Sequence, residues 1–310
     1  MLIYRISGDK LTESSIEALK KDNKNKYWVM FGPNELEEHM DFFNFSFQTM
    51  YECINNEDAP KLDVYENYSF GILNVIGPKE SFFSVIELNF YISKNHLIFV
   101  SKEHLEIFRE VQKDIDNKGF QSLSLEKILY NLIDRMTSKD YKMLSNLESE
   151  ISGVEEDVLQ GKIKDYIKDI VLLKNKLLFL KKHYEPLLEA IEDLTENENQ
   201  ILDEKSIAYF TILFNRIERL NMKVGNLRDY VTQIRESYQS QLDINLNNTM
   251  KLFTVLTAVF SPLTLIVGWY GMNFPTMPEF HWQYGYIFVI LLSLSVLSIC
   301  LWIFKKKKLW

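Results

Sequence analysis

The chain has 310 residues, 35 Lys and Arg against 43 Asp and Glu, a net charge of −8, 46% hydrophobic residues and two cysteines. From Leu252 to Phe304 Glu279 is the only Asp, Glu, Lys or Arg, so the first 250 residues alone carry a net charge of −12. An acidic body of that kind has no electrostatic footprint for nucleic acid, and Cys53 and Cys300, in unlike surroundings, supply neither a disulfide framework nor a zinc quartet.

In chain order, the start (Met1-Leu2-Ile3-Tyr4-Arg5) lacks a basic region followed by an apolar one, so no signal peptide is expected. Tyr27 to Phe31, Tyr68 to Val75, Ser84 to Ile92 and His96 to Val100 read as strands. In the third of these Ile86, Leu88, Phe90 and Ile92 share one face and Glu87 and Asn89 the other, and Lys94-Asn95 makes the turn that follows. Asn34 to Phe43 reads as a helix with Asn34 as N-cap. Residues 1–120 are therefore expected to form a mixed α/β domain. It holds no Gly-rich phosphate loop, which argues against an ATP-driven pump, and with no catalytic constellation visible in the sequence no enzyme is expected.

Residues 121–205 change to long helices. Leu144, Leu147, Ile151, Val154 and Val158 follow an amphipathic period. Gln160-Gly161-Lys162 reads as a hairpin turn, the next helix runs on through Asp193 with Pro186 inside it, and Thr195 to Gln200 is a polar connector. Phe210, Phe214, Ile217, Leu220, Val224, Leu227, Val231, Ile234 and Tyr238 then advance with the coiled-coil period, marking a stalk helix over 206–250 that offers a way to gather copies. The helix can continue from Ser206 to Trp269 as one rod.

Leu252 to Trp269 and Tyr284 to Phe304 are each long and apolar enough to cross a hydrocarbon core of about 30 Å. Expected segments are a first transmembrane helix over 251–274, an outer loop over 275–283, a second helix over 284–304 and a basic tail over 305–310. Lys305 to Lys308 mark the cytosolic side, so both termini face the cytosol, and Gly271 to Gln283, without Lys or Arg, faces out. Along the first span Asn247, Met250, Phe253 or Thr254, Thr257, Ser261, Thr264 and Gly268 fall on nearly one face. Such a stripe is either a packing seam, with hydroxyls bonded back to their own helix, or a wetted pore wall without charge. Two spans cannot enclose a path, so the pore alternative requires several copies around one axis.

The first span ends in Tyr270-Gly271-Met272-Asn273-Phe274, followed by Met277-Pro278-Glu279 and, at the end of the chain, Lys305 to Trp310. Here the sequence resembles the CorA family of divalent-cation channels, whose hallmark is Gly-Met-Asn at this place. The likeness extends to the soluble part, for example Pro60 to Tyr65. The resemblance implies a homopentameric funnel in the inner membrane that admits hydrated Mg²⁺, with Co²⁺ or Ni²⁺ as passengers, and needs no cofactor.

Mg²⁺ dehydrates reluctantly. The Asn273 carbonyl suits the ion's waters, Gly271 a tight turn, Met272 a packing place behind it, and Glu279 a role in attracting cations to the mouth. The membrane potential supplies about 4.6 kcal/mol per 100 mV for a divalent ion. By register from the motif, the family's hydrophobic constriction falls on Met250 and Phe253, with Asn247 below. Ser261 stands where the family carries a bulky Met or Leu.

The resemblance further implies regulation by cytosolic Mg²⁺. The acid that the family carries near the start of the stalk is missing from Tyr209 to Phe214, and the hairpin acids Glu148, Glu150, Glu155, Glu156 and Asp157 could serve but read first as a solvated face. The regulatory metal site is therefore unassigned. Two other readings are a zinc transporter of the same fold, for which His39, His96, His104 and His183 are scattered and only His281 lies near the mouth, and a membrane-anchored coiled-coil sensor.

Overall fold

The computed structural model describes residues 1–22, 24–55, 59–78, 83–102, 106–118, 123–160, 166–272, 277 and 282–306. Contacts divide the chain into two compact units, Met1–Asp157 with Ile163–Arg235, and Val158–Lys162 with Glu236–Trp310.

The first unit is built on a seven-stranded sheet of β1 (Leu2–Ser7), β2 (Lys10–Glu13), β3 (Tyr27–Phe31), β4 (Lys61–Val64), β5 (Tyr68–Pro78), β6 (Phe83–Ser93) and β7 (His96–Val100). Their order is β2-β1-β3-β7-β6-β5-β4. β3 and β7 are parallel and the other neighbours antiparallel. Parallel pairing needs a long crossover, and here it contains the helices α2 (Pro33–Glu37), α3 (Met40–Phe43) and α4 (Phe47–Asn55), while α1 (Ile16–Lys21) precedes β3. Leu19 of α1, Leu36 of α2 and Met50 and Cys53 of α4 join Tyr27, Val29, Phe70, Ile72, Tyr91 and Ile98 in one core. Toward the opposite face α5 (Glu106–Lys118) brings Phe108 to 5.3 Å from Phe99 and Gln112 to the Tyr4 hydroxyl. β6 and β7 therefore read as buried on both sides. Asn89, on the face opposite Leu88 and Phe90, is also buried, and its side-chain amide donates to Glu87 at 2.9 Å. Gly71 lies opposite Phe90 because a Cβ there would stand 2.1 Å from that ring.

The helix expected over 34–43 is two short ones. Gly32, not Asn34, caps the first, its N–H donating to Glu35 Oε2 at 2.8 Å, and the N-terminal amine of Met1 lies 2.7 Å from the other Glu35 oxygen.

The long helices follow as α6 (Leu125–Thr137), α7 (Asp140–Leu159), α8 (Ile167–Glu196, with Pro186 inside) and α9 (Glu204–Tyr270). The expected turn at Gly161-Lys162 lies outside the described residues. α9 has 67 residues, about 100 Å of helix. In the first unit its buried apolar positions are Phe210, Leu213, Ile217, Leu220, Val224, Leu227, Val231 and Ile234. Leu213 takes the place expected for Phe214, which is half-buried.

This corrects the reading of the seam as the device that gathers copies. The period is present, but these residues are buried within the single chain. Lys223 pairs with Glu148 of α7 at 2.8 Å, the Tyr230 hydroxyl donates to Glu155 of α7, and Arg216 pairs with Asp134 of α6 at 2.6 Å.

The connector between α8 and α9 is fastened to the sheet. Asn197 and Gln200 adopt left-handed backbone, with φ of 48° and 54°, and the Asn199 amide donates to the Tyr65 carbonyl and the Ser69 hydroxyl at 2.9 Å each.

Candidate ion pathway

The second unit contains the later part of α9 and α10 (Gly285–Lys306), and both helices are long and apolar enough to cross a membrane. Their apolar windows are unburied within the chain, unlike the core helix of a soluble protein.

On α9 the half-buried positions are Val255, Ala258, Val259, Pro262, Leu263 and Ile266, one face at helical spacing. On α10 they are Val289, Leu292, Ser293, Val296, Leu297, Cys300 and Phe304. The Cys300 thiol approaches the Ala258 carbonyl at 3.9 Å, which places the two faces against each other. Pro262 explains that contact. It has no N–H to give to the carbonyl four residues earlier, which is Ala258, and a neighbouring helix commonly supplies a replacement donor in a membrane. α9 runs through Pro262 without a break.

Asn247, Met250, Phe253, Thr257, Ser261, Thr264 and Gly268 are all exposed in the single chain. At 3.6 residues per turn they cover an arc of about 120°, centred opposite the face that meets α10. Their hydroxyls also behave differently from their neighbours'. Thr254, Ser293, Ser295 and Ser298 donate to the carbonyl four residues earlier at 2.8–2.9 Å. Among the described residues Thr257, Ser261 and Thr264 show no such bond. Back-bonding is what a packing seam would use, so these three hydroxyls remain available at the exposed face.

α9 ends at Tyr270. Gly271 N–H still donates to the Val267 carbonyl at 2.8 Å, and a Cβ on Gly271 would lie 2.8 Å from that same oxygen. The need for glycine is thus set by the chain's own last turn. Met272 N–H reaches the Trp269 carbonyl at 3.4 Å, and the residue is 39% exposed within the single chain. Asn273, Glu279, His281, Lys307 and Lys308 lie outside the described residues. Trp282 and Tyr284 form an edge-on pair before α10, and Lys306 sits over the Trp302 ring at 5.0 Å, a pattern of interfacial anchors.

Among the described residues no group of three His, Cys, Asp or Glu is placed to hold a metal ion. Of the hairpin acids, Glu148 is paired with Lys223, Glu150 with Lys176 at 2.9 Å, and Glu155 with Tyr230.

Residues 23–308 match the family model described as CorA-like Mg²⁺ transporter protein. The chain belongs to that family. It is a membrane transporter rather than an enzyme, and its two candidate spans are α9 and α10. The cobalt/magnesium transport protein CorA of Thermotoga maritima is 27% identical over 87% of this chain and 78% of its own length. A putative metal ion transporter of Bacillus subtilis is 26% identical over 94% and 92%. Among solved structures, the CorA magnesium transporter of Methanocaldococcus jannaschii superposes with a TM-score of 0.82 at 20% identity, covering 98% of this chain and 97% of that one. The cytoplasmic domain of ZntB from Vibrio parahaemolyticus gives 0.65 at 16% identity over 78% and 98%. These structural likenesses bear out the fold: a mixed sheet-and-helix domain, a long helix and two apolar helices.

Proposed function

We propose that several copies of this chain, five by resemblance to the CorA family, surround one axis with the α9 stripe inward and α10 outward. Hydrated Mg²⁺ enters the cytosol along that axis down the membrane potential. The observation that carries this reading is the exposed arc opposite α10, with the Thr257, Ser261 and Thr264 hydroxyls not spent on their own helix. An uncharged hydroxyl wall hydrogen-bonds the waters of an ion without trapping it. Met250 and Phe253, with the exposed side chains that a closed ring of copies would bury, form the dry constriction, and Asn247 lies on its cytosolic side.

At the outer end Gly271 and Met272 present Asn273, whose carbonyl competes with bulk water for the ion's hydration shell. Each such bond contributes about 0.5–1.5 kcal/mol net, and several act on one ion. Glu279 concentrates cations at the mouth. Mg²⁺ is the cargo, and a cytosolic regulatory role for it has no assigned ligands. Both termini are cytosolic in the inner membrane, because Lys305 to Lys308 begin in the last turn of α10 and no Lys or Arg stands between Gly271 and Gln283. A cysteine at position 279 is expected to react with an impermeant reagent from outside, and one at 307 only after permeabilisation; the reverse pattern removes the reading.

The deciding experiment is uptake into proteoliposomes of Mg²⁺, Co²⁺ and Zn²⁺ by the wild type and by Asn273→Ala. Selective Mg²⁺ uptake is expected in the wild type, and its loss, with unchanged assembly, in the variant. Wild-type uptake by Asn273→Ala makes the motif structural, and preferential Zn²⁺ uptake reassigns the cargo. In the same assay Met250→Gly with Phe253→Gly is expected to raise flux at high internal Mg²⁺, and unchanged flux moves the gate elsewhere.

A further inference from the structure

Far from the ion pathway in sequence, the first unit carries two clefts that share one wall. The larger, about 800 Å³, is formed by the α3–α4 loop, the β4–β5 turn and the β6–β7 turn, a volume typical of small-molecule sites. Phe42, Phe43, Tyr65 and Tyr68 supply its aromatic walls, with Glu66 and Asn67 between. Tyr65 stacks on Tyr68 with centroids 4.6 Å apart and 14° between the planes. Phe42 meets Phe43 edge-on at 4.9 Å. Tyr68 is fixed in place, its hydroxyl accepting the Ser46 N–H at 2.9 Å.

Among the described residues no Lys or Arg lines this cleft and its one carboxylate is Glu66, while the Lys20 ammonium stands over the Phe42 ring, 5.8 Å from its centroid. The imidazole of His96, also in the lining, is pushed down to about 4 by burial and stays neutral. The cleft therefore offers aromatic faces, amide and hydroxyl groups and one negative charge, a surface that suits a cation, as the Lys20 ammonium over Phe42 shows.

Tyr65 is also a wall of the second cleft, about 450 Å³, where Asp63, Asp193, Glu196 and Glu198 face Lys61. Lys61 is already engaged, 2.8 Å from both Glu52 and Asp63. Burial, and then the neighbouring acids Glu196 and Glu192, raise the Asp193 carboxyl above its ordinary range. The clip made by Asn199 to the Tyr65 carbonyl holds Glu196 and Glu198 beside the aromatic cleft. Acids alone would be an ordinary solvated face. Their continuity with an aromatic cleft, one ring of which already carries the Lys20 ammonium, is what separates this surface from one.

We infer that the two clefts together bind a linear organic polycation, a polyamine, laid across Tyr65. One ammonium group sits over the aromatic rings beside Glu66, and another lies among Asp193, Glu196 and Glu198. Ammonium groups are attracted to aromatic faces, and the methylene spacer gains from covering the apolar side of Tyr65. A divalent metal ion gains little from the aromatic cleft, since it takes oxygen ligands or keeps its waters. The site lies in the soluble unit, so it confers a response to organic cations on a protein whose cargo is inorganic.

The test is isothermal titration of the full-length protein in detergent with spermidine at fixed ionic strength. Saturable binding is expected, weakened about tenfold by Tyr65→Leu. Glu66→Gln and Glu196→Gln with Glu198→Gln should each weaken it several-fold, while Asn273→Ala leaves it unchanged. Should Tyr65→Leu fail to fold, Glu66→Gln at an exposed turn position still decides. Binding that is absent, that Glu66→Gln and the Glu196, Glu198 pair leave untouched, or that Mg²⁺ reproduces with equal affinity overturns the assignment. So does saturable binding of adenosine, a neutral planar ligand, in place of spermidine.

Discussion

Between Phe210 and Ile234 every third or fourth residue of α9 is buried within the chain, whereas from Arg235 to Tyr270 no residue of the same helix is. The residues themselves are similar, Leu, Ile, Val and Phe in both stretches. In the first, α6 and α7 close over the apolar face and tie it with Lys223–Glu148 and Arg216–Asp134. In the second, α10 covers one face partly and leaves the rest to lipid or to other copies. A hydrophobic period thus states that a face will be covered and is silent about what covers it.

The largest effect expected from this contrast is on the stability of the first unit. Leu220 is fully buried, and Leu220→Ala should cost about 2–5 kcal/mol through the cavity it leaves. Leu256, 43% exposed in the chain, should cost the first unit nothing measurable when replaced by Ala. Amide hydrogen exchange of β3 and β7 in the full-length protein reads both. Equal acceleration of exchange by the two variants would erase the distinction between the halves.

A smaller and more local effect is expected at the end of α9. Gly271→Ala puts a Cβ 2.8 Å from the Val267 carbonyl, an overpacking that costs about 1–3 kcal/mol locally, and shifts the backbone that leads to Asn273. Mg²⁺ uptake should fall about tenfold with exchange in β3 and β7 unchanged. Gly268 is the control, because a Cβ there meets nothing within 4 Å inside the chain. If Gly268→Ala proves as damaging as Gly271→Ala, another copy fills the space beside Gly268, which would sharpen the proposed assembly.

How much of this was legible in the sequence follows the same division. β3, β5, β6 and β7 are foreseeable from β-branched and aromatic runs, while β1, β2 and β4 pass unnoticed. Lys10–Glu13 and Lys61–Val64 are four residues each and carry too little alternation to register. The alternation in β6 shows two faces, but the burial of Asn89 on the polar one follows from helices covering both sides of the sheet, a tertiary fact. The α9 stripe is legible from spacing alone. That Thr254 bonds back to its helix while Thr257 does not is a matter of rotamer and surroundings, which no spacing encodes. The connector at 195–200 is legible as polar, but not the grip of Asn199 on β5, since its partners are about 130 residues away.

The smallest effect, and the one that probes α10 itself, is expected at Cys300. Pro262 leaves the Ala258 carbonyl without its helical donor, and the thiol at 3.9 Å is a weak substitute. Cys300→Ala should therefore cost only about 0.5–1 kcal/mol, the usual size of an interhelical hydrogen bond in a membrane. The informative measurement is a double-mutant cycle with Pro262→Ala, read by the unfolding midpoint of the second unit in micelles. Alanine at 262 restores an N–H four residues beyond Ala258, so the carbonyl no longer needs the thiol. In that background the penalty of Cys300→Ala should vanish. An equal penalty in both backgrounds means that Cys300 contributes packing alone, and that the Ala258 carbonyl is satisfied from the exposed face of α9, where the proposed water-filled path runs.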